Sequence, residues 1–114
     1  MSYRTECMEL AAVLAVECKV QPTVAVRMAQ ALLRDAAGIQ RHCVNACNRE
    51  VTPQETARCR HAESRIRRLL ESYDVGVSLN GDPRGYCVKL HFASGRYNTW
   101  GGAESGYGVP VGRM

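Results

Sequence analysis

Five side chains able to bind metal or act as nucleophiles crowd the middle of the chain: His42, Cys43, Cys47, Cys59 and His61. Cys43 and Cys47 are four residues apart, which sets both on one side of a helix. Cys59 and His61 follow a short linker, so a helical hairpin would bring them opposite. Thiolates and an imidazole can hold Zn²⁺ tetrahedrally. Structural zinc sites, however, usually draw ligands from knuckles with gaps of about two to four residues, not from two helix faces. Cys43 and Cys59 also continue apolar stripes, where cysteine packs as a small hydrophobe. Buried free thiols are therefore the first reading, zinc the second and redox chemistry the third. No cofactor and no resident metal is expected.

Nucleophilic catalysis needs a nucleophile beside a base. Cys87 and His91 share a strand face but stand about 13 Å apart along it. Asp82 and Glu104 are loop carboxylates that only folding could unite. No GxSxG, HExxH, P-loop or dinucleotide fingerprint is present. GYGVPVG, residues 106–112, lacks the strand–helix context of a phosphate cradle. The chain reads as a non-enzyme.

Binding chemistry is better represented. RCRHAESRIRR, residues 58–68, holds five arginines against the single Glu63. Arginines contact phosphates and aromatic rings stack on bases, which makes Arg60, Arg67 and Arg68 candidates, with Arg84 and Arg96 on loops. These arginines spread around the helix, so a solvated face is the plainer reading. Phe92 alternates with Val88 and Leu90 and belongs to a core. The net charge of +4 permits nucleic acid or an acidic protein surface and demands neither. Near the end, GRYNTWGGAESGYGVP, residues 95–110, carries the only tryptophan. Trp100 reads first as a plug over a small core, and second as an interface anchor with Tyr97 and Tyr107.

The elements that must position these residues follow from periodicity. Met8, Ala11, Ala12, Ala15 and Cys18, with Leu14 beside them, mark a short helix over 8–18 that Lys19–Pro22 ends. Thr23 is placed to cap a second helix, whose stripe is Val24, Met28, Ala31, Leu32, Ala36, Ile39, Cys43 and Ala46. Arg27, Arg34 and Arg41 stand seven apart on another face. Gly38 marks a kink or a close approach. Thr52, Pro53 and Glu55 spell a capping box for a third helix, with Cys59, Ala62, Ile66, Leu69, Leu70 and Tyr73 inward. After Asp74 the period becomes two: Val75, Val77 and Leu79, then Tyr86, Val88, Leu90 and Phe92, with turns at 80–85 and 93–96 and a short third strand at 97–100.

The fold class is thus α+β: an antiparallel helical hairpin and a short N-terminal helix packed on a small antiparallel meander of two to three strands. With 114 residues the chain makes one domain, its helical part about 7–73 and its β part and glycine-rich tail about 74–114. No stretch is apolar enough to span a membrane, and MSYRTECMEL does not read as a signal peptide. The expected location is cytoplasmic, with the six cysteines as thiols.

GDPRG at 81–85, SGRYNTWGG at 94–102 and GYGVP at 106–110 resemble segments of a family of small bacteriophage and prophage proteins of no established activity. RHCVNACNREVTPQE at 41–55 is similar to the middle of that family, where a His precedes a Cys-Asn pair, here His42 and Cys47-Asn48. The resemblance covers about residues 30–110. It implies a phage accessory product in a bacterial cytoplasm. Such products commonly bind and inhibit host proteins, CRISPR machinery among them, or aid replication. The expected function is accordingly non-enzymatic binding of a host macromolecule, a protein first. A nucleic-acid-binding protein using the third helix is the alternative, and a structural homodimer a further one.

Overall fold

The computed structural model describes residues 3–79, 88–95 and 97–100. Three helices come first, α1 (Tyr3–Glu17), α2 (Pro22–Asn48) and α3 (Pro53–Leu70), and a 3-10 turn at Glu71–Tyr73 leads into the sheet. Strands β1 (Gly76–Leu79), β2 (Val88–His91) and β3 (Tyr97–Trp100) pair antiparallel in the order β1-β2-β3. Val77 stands opposite Leu90, and Leu90 opposite Asn98. This is the expected α+β arrangement, with all three strands of the meander formed. The turn expected at 80–85 lies outside the described residues.

The capping box at the start of α3 forms as the sequence spells it. Glu55 donates its N–H to Thr52 Oγ1 at 3.1 Å, and the Thr52 N–H donates to Glu55 Oε1 at 3.0 Å. Arg49 adds a two-pronged grip on the same carboxylate, at 3.0 and 2.7 Å. The Arg49 hydrogen bond, then that from the Thr52 backbone, holds the Glu55 carboxyl down at about 2. A carboxyl depressed on folding contributes stability above the ordinary carboxylate range and loses it as the pH falls through the folded value. Glu55→Gln is therefore expected to melt below the native protein at neutral pH. The gap should close as the pH approaches about 2. Melting curves across that window check it; a gap constant with pH would contradict it.

Three local expectations are corrected. First, α1 begins at Tyr3 rather than Met8, and its inward face is the expected one only in part. Cys7, Leu10, Ala11, Leu14 and Cys18 are buried, whereas Met8 is 56% exposed and Ala12 is exposed. Every residue from 10 to 16 is apolar, so periodicity does not choose a face. Packing chooses the one with two leucines, which bury more area than Met8 and Ala12. The helix closes at Cys18, whose N–H donates to Leu14 O at 2.8 Å, and at Lys19, which is left-handed at φ 56°.

Second, Pro22 starts α2 instead of merely ending α1, and Gln21, not Thr23, is the N-cap, without a side-chain cap bond. Proline suits the first helical position because its missing N–H would be unpaired there anyway. The buried face of α2 is also wider than the expected stripe. Met28, Leu32, Ala36, Ile39 and Cys43 are buried as expected, but so are Ala25, Ala29, Leu33 and Asp35. Val24 and Ala31 are only half-buried, and Ala46 is exposed. The width follows from position, since α2 packs against both α1 and α3.

Third, Gly38 does not mark a close approach. A Cβ built there meets nothing within 4 Å, and α2 runs on through it. Glycine in a helix costs about 0.5–1 kcal/mol against alanine. Gly38→Ala is expected to stabilise the protein by that amount, readable as a higher denaturation midpoint. A loss of stability would show that the space around the residue is needed.

Cys43, Ala62, Ile66, Leu70, Val88, Leu90 and Phe92 belong to one continuous buried cluster with the residues of α1 and α2. The second turn of the meander is confirmed by the bond from Gly95 N–H to Phe92 O at 3.0 Å, with Gly95 at φ 94°. Within the described residues no helix is long and apolar enough to cross a membrane.

Candidate functional site

Polar chemistry concentrates in a groove of about 350 Å³ between α2 and α3. Arg34 and Arg41 line it from α2, and Arg58 and Arg65 from α3. Each pair is seven residues apart, two helical turns or about 10.5 Å. The sequence places these residues there for a simple reason: a seven-residue step nearly repeats the helix phase, so both members of a pair lie on one face.

One end of the groove is built around Asp35, the only buried charged residue among those described. Arg65 grips it through Nε, 3.2 Å from both carboxylate oxygens, and through Nη2, 3.0 Å from Oδ1. Arg34 Nε adds a longer contact of 3.4 Å to Oδ1. The hydrogen bond and charge of Asp35 raise the pKa of Arg65. The contact also fixes the helix register. Because the helices run antiparallel, Arg41 and Arg58 both sit about two turns further along the groove. Neither has an ion pair among the described residues. The remaining carboxylate of the groove, Glu55, is already held by Arg49. Four guanidiniums thus face two carboxylates, both occupied, and the half of the groove near Arg41 and Arg58 is left positive. His42 and His61 line the same groove and add polar edges.

The cysteine–histidine cluster does not assemble. Among the described residues no group of three His, Cys, Asp or Glu side chains is arranged to hold a metal ion. His42, His61 and Cys59 face the groove, Cys43 is buried in the core and Cys47 is exposed. The Cys59 thiol is pushed up to about 11, by burial first and then by Glu63 and Cys43. It therefore stays protonated near neutral pH, the opposite of an activated nucleophile. Cys7, Cys18, Cys43, Cys47 and Cys59 are all free thiols as expected, but Cys47 is exposed rather than buried.

A serine–histidine contact not anticipated from the sequence lies on the sheet, where Ser78 Oγ is 3.0 Å from His91 Nε2. Both residues are exposed, and no carboxylate among those described bonds the other ring nitrogen. A triad-like pair needs a third group to orient the base and donors for an oxyanion. The pair serves as a cross-strand tie between β1 and β2.

The expected nucleic-acid arginines are dispersed. Arg60 is exposed, Arg67 donates to Val77 O of β1 at 3.3 Å, and Arg68 rims a second recess. Arg84, Arg96 and Tyr107 lie outside the described residues. Tyr97 and Trp100 have backbones in β3, but their side chains lie outside the described set. The groove residues Arg58, Arg65 and Asp35 were not singled out. Their signal was available in the matching seven-residue spacings and in a carboxylate set among the apolar positions Leu32, Ala36 and Ile39.

The fold and the groove define a small α+β protein with a basic cleft between the arms of a helical hairpin. No family model matches the chain, and no curated protein and no solved structure matches it either.

Proposed function

We propose that this protein is a non-enzymatic binding protein whose α2–α3 groove engages the phosphate backbone of a nucleic acid. The observation that carries the reading is the unneutralised pair Arg41 and Arg58 in a groove whose carboxylates are both occupied. Guanidiniums offer forked donors that match phosphate oxygens. The resemblance to phage accessory proteins implies a bacterial cytoplasm as the setting, in which host or phage nucleic acid would be an available polyanion. A host protein held by the loop after Trp100 depends on residues outside those described, so the groove carries the proposal.

Phosphate contacts make log K fall linearly with log salt, by about 0.7 per contact for a single strand and about 0.9 for a duplex. Arg41→Gln and Arg58→Gln are each expected to lower the steepness by about one contact while moving stability by less than about 0.5 kcal/mol. Anisotropy titrations of labelled DNA and RNA at several salt concentrations measure this. Folded protein that binds neither at low salt would overturn the proposal. So would an acidic peptide that binds more tightly through the same two arginines, which would make the partner a protein.

A further inference from the structure

Next to the basic groove, and sharing Arg34, Asp35 and Arg65 with it, lies a second recess of about 250 Å³. Its chemistry differs. Leu32 and Ile66 are fully buried at its base, and Ala31 and Leu69 are half-buried at its sides. Arg34, Arg65 and Arg68 stand around it, all exposed at the surface. A phosphate gains nothing from a floor of leucine and isoleucine. A planar group with apolar faces and polar edges does, provided that an anion attached to it reaches the surrounding guanidiniums. The recess falls below the about 300–1,000 Å³ of pockets that hold drug-sized ligands, which suits a single ring system.

We propose, building on the groove as a phosphate track, that the nucleic acid is single-stranded and that one unstacked base inserts into the recess formed by Ala31, Leu32, Ile66 and Leu69. The base packs one face on this apolar surface, and the guanidinium planes of Arg34 and Arg68 close over the other face, where they stack and add cation–π contact. The flanking phosphates fall, along the groove, to Arg41 and Arg58. A duplex keeps its bases stacked and paired inside, so it can reach the arginines but not the recess.

The test compares three probes on the full chain: a short single-stranded DNA, the same strand made of abasic sites, and the matching duplex. The single strand is expected to bind about tenfold more tightly than the abasic strand, as the loss of one base's apolar burial and cation–π contact predicts. The salt dependence of these two should be the same. Ala31→Leu fills the recess from its half-exposed side. It should bring the single strand to the abasic level and leave abasic binding unchanged, with a melting curve confirming that the variant is folded. Equal, salt-dependent binding of the single and abasic strands would overturn the base recess and leave the phosphate groove standing. A duplex bound as tightly as the single strand, or an Ala31→Leu variant that binds the single strand like the native protein, would also overturn it. Failure of all three probes to bind would remove the groove proposal along with the recess.

Discussion

Arg65→Met is expected to destabilise the fold by about 3 kcal/mol, near the low end of the cost of removing one partner from a buried charge pair. The Asp35→Asn change, on the other side of the same contact, is expected to cost only about 1 kcal/mol. The asymmetry comes from burial. The Asp35 side chain is 5% exposed, whereas those of Arg65 and Arg34 are 54% and 68% exposed. Without Asp35, the guanidiniums turn to water. Without Arg65, a carboxylate remains in the core with only Arg34 at 3.4 Å beside it. That remaining contact is why the expected cost sits at the low end of the range. Combining Arg65→Met with Asp35→Leu removes both charges and should recover most of the loss, because an apolar replacement of a buried pair is often neutral. Denaturant melts of Arg65→Met, Asp35→Leu and the double variant measure the coupling. Equal costs for Arg65→Met and Asp35→Asn would show that Asp35 is better solvated than its burial indicates.

That ion pair also shows where the sequence was legible and where it was not. The hairpin could be read because its cues are local: Thr52, Pro53 and Glu55 specify a helix start whatever surrounds them. The meander could be read because Val75, Val77, Val88, Leu90 and Phe92 alternate strictly, and a turn glycine sits at Gly95. The face of α1 could be read only in part, through Ala11, Leu14 and Cys18, since a uniform apolar run from Leu10 to Val16 leaves the choice to tertiary packing. Asp35 was hidden for a related reason. An acidic residue among apolar positions signals either an edge or a buried partner, and the partner, Arg65, is 30 residues away. Only the register of the hairpin separates Arg65, which is held in a pair, from Arg58, which is not. Arg60, Arg67 and Arg68 illustrate the same point. A helix with arginine on most sides shows its charge in the sequence, but which of those charges share a groove depends on the facing helix.

The largest single loss of stability should come from the strand that joins the two halves of the core. Leu90 is fully buried at the middle of β2, opposite Val77, and belongs to the same cluster as Leu14, Leu32 and Ile66 of the helices. Leu90→Ala removes its transfer free energy and leaves a cavity, at a cost of about 2–5 kcal/mol. That is a large share of the about 5–15 kcal/mol that holds a domain together. Its position determines how the protein should fail. A sheet of three four-residue strands has little stability of its own, so it persists only on the helices. The helices in turn bury Ile66 and Leu70 beside Val88 and Leu90 in one cluster. The loss is therefore expected to be shared: helix and sheet should unfold in one transition at a lower midpoint, in both the native protein and the variant. Far-ultraviolet circular dichroism follows the helices, and amide exchange at 88–91 follows the sheet. Coincident midpoints support a single cooperative domain. A variant in which exchange at 88–91 becomes fast while the helical signal melts as before would show that α1–α3 fold by themselves and that the sheet is an appendage.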